Sequence, residues 1–231
     1  MHQSVDKWDA LWDEYFLRYQ NDVRVSEYLK LIFPKWESFS FIEFGAGSFR
    51  DTINLLRSGA CAYGFDFSER SVSNAKRYCT DHSDKFFVAD CFSTPLSDNS
   101  FDVSFHSGVY GLFSSEDRIK LINEQIRVTK RFVVVICHNS KNRKMYDYFQ
   151  MKKVDDPLFR IDFFDPAEVP INSGNDVVWK RYFISDMHKG GVDNMLAWPT
   201  FLSPIIQCFL KVPVLTPVTE IERIVWVGEV S

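Results

Sequence analysis

Three acids recur at nearly equal intervals in this chain: Glu43, Asp66 and Asp90, 23 and then 24 positions apart. Each closes a short apolar run, and the spacing is that of one strand–helix unit. If the runs are parallel strands, all three acids project from one carboxyl edge, where open α/β sheets bind ligands. Unpaired carboxylates gathered there repel one another, so a ligand with complementary groups is the natural reason to gather them. Asp66 is placed to accept hydrogen bonds from both hydroxyls of a ribose. Asp90, in Ala89-Asp90-Cys91-Phe92, can take an exocyclic amine of adenine, with Phe67 and Phe92 stacking on or bordering the ring. Glu43, just ahead of the turn Gly45-Ala46-Gly47, favours a nearby positive charge. The plainer alternative is that each acid caps the helix or turn that follows it.

The elements that must carry these acids are legible in order. Residues 4–33 hold two amphipathic helices, one with the stripe Trp8, Leu11, Trp12, Tyr15 and Tyr19, the other with Val25, Leu29 and Ile32. Pro34 ends them. Strands are expected at Ser38–Phe44, Cys61–Asp66, Lys85–Ala89, Phe101–His106 and Arg131–Cys137, with helices at Phe49–Ser58, from Ser68 to about Thr80, and after Ser114. Ser114 and Asp117 resemble a capping box with Asp in the usual Glu position. The run Phe132-Val133-Val134-Val135-Ile136 suits a strand buried on both faces. Short βα connections imply a right-handed, doubly wound α/β sandwich. After Cys137 the rhythm breaks. A basic helix is expected over Asn139–Val154, with Lys141, Arg143, Lys144, Lys152 and Lys153. A loop follows over 155–175, then strands at Val177–Ile184 and Ile221–Val230, separated by the irregular stretch Asp186–Pro217.

Composition narrows the function. With 231 residues, 45% hydrophobic and 25% charged, the chain suits one large domain with a sizeable core. The 22 Phe imply a Phe-rich core or an aromatic-lined pocket. A net charge of −4 supplies no basic field for nucleic acid, so none is expected as a partner. Five scattered cysteines without CxxC spacing argue against a zinc site or a disulfide scaffold and for a reducing compartment. No signal-like N-terminus or run of about 20 apolar residues is present, so a cytoplasmic protein is expected.

Glu43-Phe44-Gly45-Ala46-Gly47, Gly64-Phe65-Asp66-Phe67-Ser68, Val88-Ala89-Asp90-Cys91 and Asn99-Ser100-Phe101-Asp102-Val103 resemble, in order and spacing, the successive motifs of class I S-adenosylmethionine-dependent methyltransferases. The resemblance covers residues 38–137. It implies a Rossmann-like, mostly parallel sheet of seven strands, the last antiparallel, in a single domain. Residues 1–36 would form N-terminal helices, 38–137 the cofactor-binding core, 139–217 an acceptor-binding or lid region, and 218–231 the closing strand. It also implies S-adenosylmethionine as cofactor and S-adenosylhomocysteine as product. The glycine loop would pack on the methionine moiety, Asp66 would hold the ribose and Asp90 the adenine amine. Glu43, Phe67, Cys91, Phe92 and Ser107 complete the implied set. Two departures stand out: Phe49 replaces the family's third glycine, and Val109-Tyr110-Gly111-Leu112-Phe113 replaces a frequent His-His pattern.

A dinucleotide dehydrogenase fits less well. A pyrophosphate favours a third glycine where Arg50 stands, and a helix N-terminus free of acids, whereas Glu43 and Asp51 flank this turn. Methyl transfer needs a base only for an acceptor that must lose a proton. His106 is the first choice and Tyr110 the second, with His138 also at a strand end. The acceptor is expected to be a small molecule methylated on O or N, and no metal is expected. Tyr15 and Tyr19 are placed to close over the methionine carboxylate, and Phe201–Leu210 to touch an apolar substrate. A non-catalytic binding module that keeps the fold is the rival reading.

Overall fold

A computed structural model describes residues 5–21, 25–154, 156–170, 177–184 and 217–230. Its centre is a sheet in the order β3-β2-β1-β4-β5-β8-β7, with a short β6 beside β5. The strands are β1 (Ser40–Phe44), β2 (Cys61–Asp66), β3 (Phe86–Val88), β4 (Phe101–Ser107), β5 (Thr129–Asn139), β6 (Phe163–Phe164), β7 (Val177–Ile184) and β8 (Arg223–Val230). β8 runs antiparallel between β5 and β7, so the closing strand inserts ahead of its predecessor, and the other pairings are parallel. The strand order reverses between β1 and β4, which opens the crevice of a doubly wound sheet.

Helices α1 (Val5–Tyr19), α2 (Val25–Ile32), α3 (Arg50–Arg57), α4 (Glu69–Tyr78), α5 (Ser115–Val128) and α6 (Arg143–Lys152) complete the layers. One core joins Val25, Tyr28 and Leu29 of α2, Ile53 and Leu55 of α3, and Val72 and Ala75 of α4 to Phe41, Val103, Phe105, Val134 and Ile136 of the sheet. The other joins Leu121, Ile122 and Ile126 of α5 to Ile42, Phe44, Val133, Val135, Ile224 and Trp226. Neighbouring residues of β1, β4 and β5 thus enter opposite cores, as the two-residue period of a strand requires. Phe41, Phe44, Phe49, Phe65, Phe86 and Phe105 are fully buried, so much of the phenylalanine content is core.

Caps set the helix starts. Ser68 accepts from Ser71 N at 3.1 Å to open α4, and Ser114 accepts from Asp117 N at 3.3 Å to open α5. The Ser114 hydroxyl also donates to Asp117 Oδ2 at 3.0 Å, so Asp serves the box. The expected helix over 139–154 starts later, because Asn139 still belongs to β5 and Asn142 is the cap, accepting from Met145 N at 3.0 Å. β6 was not expected: two residues carry no periodicity, and its pairing with His138 and Asn139 is a tertiary contact. Among the described residues no helix is long and apolar enough to cross a membrane. The stretch Asp186–Pro217, with Phe201–Leu210, lies outside the described residues apart from Pro217.

Candidate functional site

The loop between β1 and α3 takes three left-handed residues: Gly45 (φ 58°), Gly47 (φ 54°) and Phe49 (φ 54°). Phe49 therefore keeps the backbone of the glycine it replaces, at a strain cost on the order of 1–3 kcal/mol. Its ring accounts for the retention. It is fully buried, edge-on to Phe86 at 5.3 Å, and covers Gly64 of β2, where an added Cβ would stand 2.9 Å from Phe49 Cδ1. Phe49 and Gly64 are thus a matched pair.

Of the three acids, Glu43 turns inward. Its Oε2 accepts from Thr52 N at 3.0 Å and Thr52 Oγ1 at 2.5 Å, tying β1 to the first turn of α3. Burial, and then the charge of neighbouring Asp51, push its pKa up to about 8. Expected as a fixed negative charge facing the ligand, Glu43 is instead a largely protonated brace at neutral pH, because burial outweighs its hydrogen bonds. Asp51 serves α2, accepting from Ser26 N at 2.7 Å and Ser26 Oγ at 2.9 Å.

Asp66 ends β2 and bridges two loops: Oδ2 accepts from Gly47 N at 2.8 Å and Oδ1 from Ser68 N at 2.9 Å. Burial raises its pKa to about 6 against these N–H groups. Asp90 is exposed, with Oδ1 oriented by Phe92 N at 2.9 Å. Phe67 (38% exposed) and Val88 (47%) leave apolar surface in water beside these acids. Phe92 packs on Phe113 at 4.8 Å, and burial pushes the Cys91 thiol up. The capping alternative therefore holds in part for each acid, and Asp90 remains open.

Helix α1 lies across this edge. The Trp12 ring sits against Gly47, Gln20 Nε2 donates to Ser48 O at 2.6 Å, Ser68 Oγ donates to Asp9, and Asn74 Nδ2 donates to Trp12 O at 3.2 Å. Tyr19 stands under the Arg50 guanidinium, 5.6 Å from its ring centre, and the Asp156 carboxylate close to Tyr15 raises that phenol.

The far side of the edge is made by β4, β5 and β8. His106 is fully buried with neither ring nitrogen hydrogen-bonded, stacked on Tyr110 with ring centres 6.3 Å apart. Burial pushes its pKa down to about 3, too weak a base to accept an acceptor's proton efficiently near neutrality. Tyr110 is 2% exposed. Neither candidate base is at an open surface, because alternation along β4 sends His106 to the α5 side while Ser107 takes the other face. Ser107 Oγ accepts from Arg223 Nη1 at 2.7 Å. His138 lies between Phe149 and Phe163, at 4.7 and 5.0 Å, with its pKa lowered to about 3 by burial and then by Arg223.

Residues 41–131 match the methyltransferase-domain family. The match takes in the glycine loop and β1 to β4, and the fold of the chain is similar to that of solved methyltransferases. Among solved structures it resembles a Thermotoga maritima protein described as an S-adenosylmethionine-dependent methyltransferase and possible histamine N-methyltransferase. The TM-score is 0.64 at 15% identity, over 99% of this chain and 100% of that one. A Haloferax volcanii protein solved in complex with the Trm112 methyltransferase activator gives 0.63 at 18% identity, over 97% of each chain. Magnesium protoporphyrin IX methyltransferase from Synechocystis, solved with bound S-adenosylhomocysteine, gives 0.57 at 12%, over 100% of this chain and 89% of that one. No curated protein matches the chain in sequence.

Within the matched stretch, the expected cofactor residues Gly45, Ala46, Gly47, Asp66, Phe67, Asp90, Cys91 and Phe92 gather around the loop and the ends of β2 and β3. Ser107 is apart from them, at the end of β4. Trp12, against Gly47, and Arg223, bonded to Ser107, adjoin these residues and were not singled out from the sequence. Trp12 lay on an aromatic stripe read as packing. Arg223 opens an antiparallel strand, and a cation in that position was the available signal.

Proposed function

We propose that this methyltransferase domain moves a methyl group from S-adenosylmethionine to a small-molecule acceptor through oxygen or nitrogen, chiefly by alignment. The observation that carries the cofactor choice is the Glu43–Thr52 pair. It occupies an amide at the start of α3 that a pyrophosphate would need, while Asp66 and Asp90 remain at strand ends suited to a nucleoside. When bound, the cofactor supplies a methyl on a sulfonium, whose transfer leaves a neutral thioether. The chain's own residues do the positioning. Asp66 is held by Gly47 and Ser68, so its carboxylate meets a ribose without reorganising. Phe67 and Val88 offer apolar walls and Asp90 an acceptor for an amine. α1, through Trp12 and Gln20, covers the glycine loop and excludes water. Proximity of this kind supplies much of a displacement reaction's rate. His106 is not needed as a base on this account.

The buried state of His106 and Tyr110 gives weight to a second reading, a binding module that keeps the cofactor without turnover. Calorimetric titration with S-adenosylmethionine, S-adenosylhomocysteine and NADH separates the readings. Heat with the sulfur ligands and none with NADH is expected; folded protein silent to both sulfur ligands refutes the proposal. Asp66→Ala should weaken S-adenosylhomocysteine binding by about 1–3 kcal/mol, the cost of unpaired polar groups. Binding without methyl turnover on any metabolite pool would support the module.

A further inference from the structure

Because β8 runs antiparallel, its first residue lies at the carboxyl edge of the parallel strands, and that residue is Arg223. It pairs in register with His138 of β5, and its guanidinium reaches across β5 to Ser107 of β4 at 2.7 Å. A guanidinium has five donors. Among the described residues this side chain makes one hydrogen bond, to a neutral hydroxyl, and no ion pair. Burial, and then the charge of Arg50, hold its pKa below the usual arginine range. Arginine does not give up its proton in proteins, so the direction of that shift marks a charge that the nearby Glu222 and Asp51 carboxylates offset only in part. His138, its register partner, keeps a buried Nδ1 with no hydrogen bond. A cation and an unsatisfied ring nitrogen therefore meet beside the end of β4.

The cofactor's own carboxylate is the rival owner of this arginine, and the S-adenosylhomocysteine arm of the test below decides between them. The glycine loop leaves β1, and β4 and β5 stand between β1 and β8. At about 4.8 Å per strand the β8 backbone is roughly 14 Å from β1, but the guanidinium, bonded to Ser107 of β4, stands one strand from β1 and within electrostatic reach of Arg50, Asp51 and Tyr19. Arg50 and Tyr19 are nearer the loop and better placed for the methionine end.

We propose that Arg223, positioned by Ser107, binds an oxyanion of the methyl acceptor, so that the substrate class is a small carboxylate or phosphate. The proposal rests on the methyltransferase reading, and its test keeps the two apart. Benzoate and inorganic phosphate serve as probes and benzamide as the neutral control, each titrated calorimetrically into protein with and without saturating S-adenosylhomocysteine. Wild type should bind benzoate or phosphate and ignore benzamide; the better of the two anions tells carboxylate from phosphate. Arg223→Gln should weaken that anion by about tenfold or more, as loss of a charge-assisted fork implies, and Arg223→Lys by several-fold. Affinity for S-adenosylhomocysteine should stay within about threefold, since fully independent sites do not couple. Wild type that binds neither anion overturns the assignment, as does Arg223→Gln that binds as wild type. So does a tenfold loss of S-adenosylhomocysteine affinity in Arg223→Gln, which would give the arginine to the cofactor. If Arg223→Gln does not fold, unchanged anion affinity in Arg223→Lys overturns it. Absence of S-adenosylhomocysteine binding by wild type defeats the methyltransferase reading separately, because the anion titrations are also run without it.

Discussion

The two halves of the carboxyl edge treat their polar atoms in opposite ways. On the β1–β2 side the acids are answered from within: Glu43 by Thr52, Asp51 by Ser26, Asp66 by Gly47 and Ser68. On the β4–β5–β8 side, among the described residues, His106 has neither nitrogen bonded, His138 lacks a partner at Nδ1, and Arg223 has a single hydroxyl. A half that satisfies itself is preorganised and can receive a ligand of fixed chemistry without rebuilding. A half with unmet donors carries a cost until something supplies the missing groups. On the proposals above, cofactor recognition belongs to the first half and acceptor recognition to the second.

The largest test of the self-satisfied half is Phe49→Gly. Losing the ring removes a buried side chain, a cost of about 3–5 kcal/mol, while the left-handed backbone is relieved of about 1–3 kcal/mol. Denaturant unfolding should show a net loss of about 2 kcal/mol. Gly64→Ala should be destabilising too, and milder on the Phe49→Gly background, since the added Cβ stands 2.9 Å from the Phe49 ring. Additive losses would show that the ring does not brace this half.

A smaller effect belongs to its charge. Glu43 rises from an ordinary 4.5 to about 8 and Asp66 from 3.8 to about 6, so the folded state holds protons the unfolded chain has released. Stability from these groups is full below about pH 4 and falls as pH rises to about 8. Glu43→Gln keeps an acceptor for Thr52 and removes the titration. It should flatten the decline between about pH 6 and 8, a difference on the order of 1–3 kcal/mol. An unchanged slope would mean that Glu43 stays ionised and that the site holds a fixed negative charge after all.

This comparison also marks what the sequence could disclose. β2 and β7 have the expected bounds because turn residues or a change of pattern punctuate them, and Asp66 and Asp90 follow from strand ends. The inward turn of Glu43 was not legible. Its partner Thr52 lies nine residues on, and the choice between ligand and helix amide is made by side-chain direction. Phe49 reads as a departure until its ring is seen to fill the space above Gly64. His106 and Ser107 are adjacent in sequence yet enter opposite faces, so a strand-end histidine looks catalytic only until the alternation is counted. Arg223 escaped because its significance needs the antiparallel insertion of β8 between β5 and β7.

The smallest expected effect sharpens the comparison most. His106→Phe replaces a fully buried ring that has no hydrogen bond with an apolar ring of similar shape. Removing an unsatisfied polar group without leaving a cavity should be neutral or stabilising by up to about 1 kcal/mol at neutral pH. The acid side should respond as well. His106 is held neutral down to about pH 3, so its contribution is present above about 6.5 and is lost as pH falls towards 3. His106→Phe should therefore make the acid limb of the stability profile shallower, read by thermal melts from pH 7 to 4. Methyl transfer, once an acceptor is found, should persist within about threefold, because alignment rather than proton removal carries the rate. A fall of a hundredfold or more, the scale of general-base loss, would restore His106 as a base and move acceptor chemistry to the α5 face of the sheet.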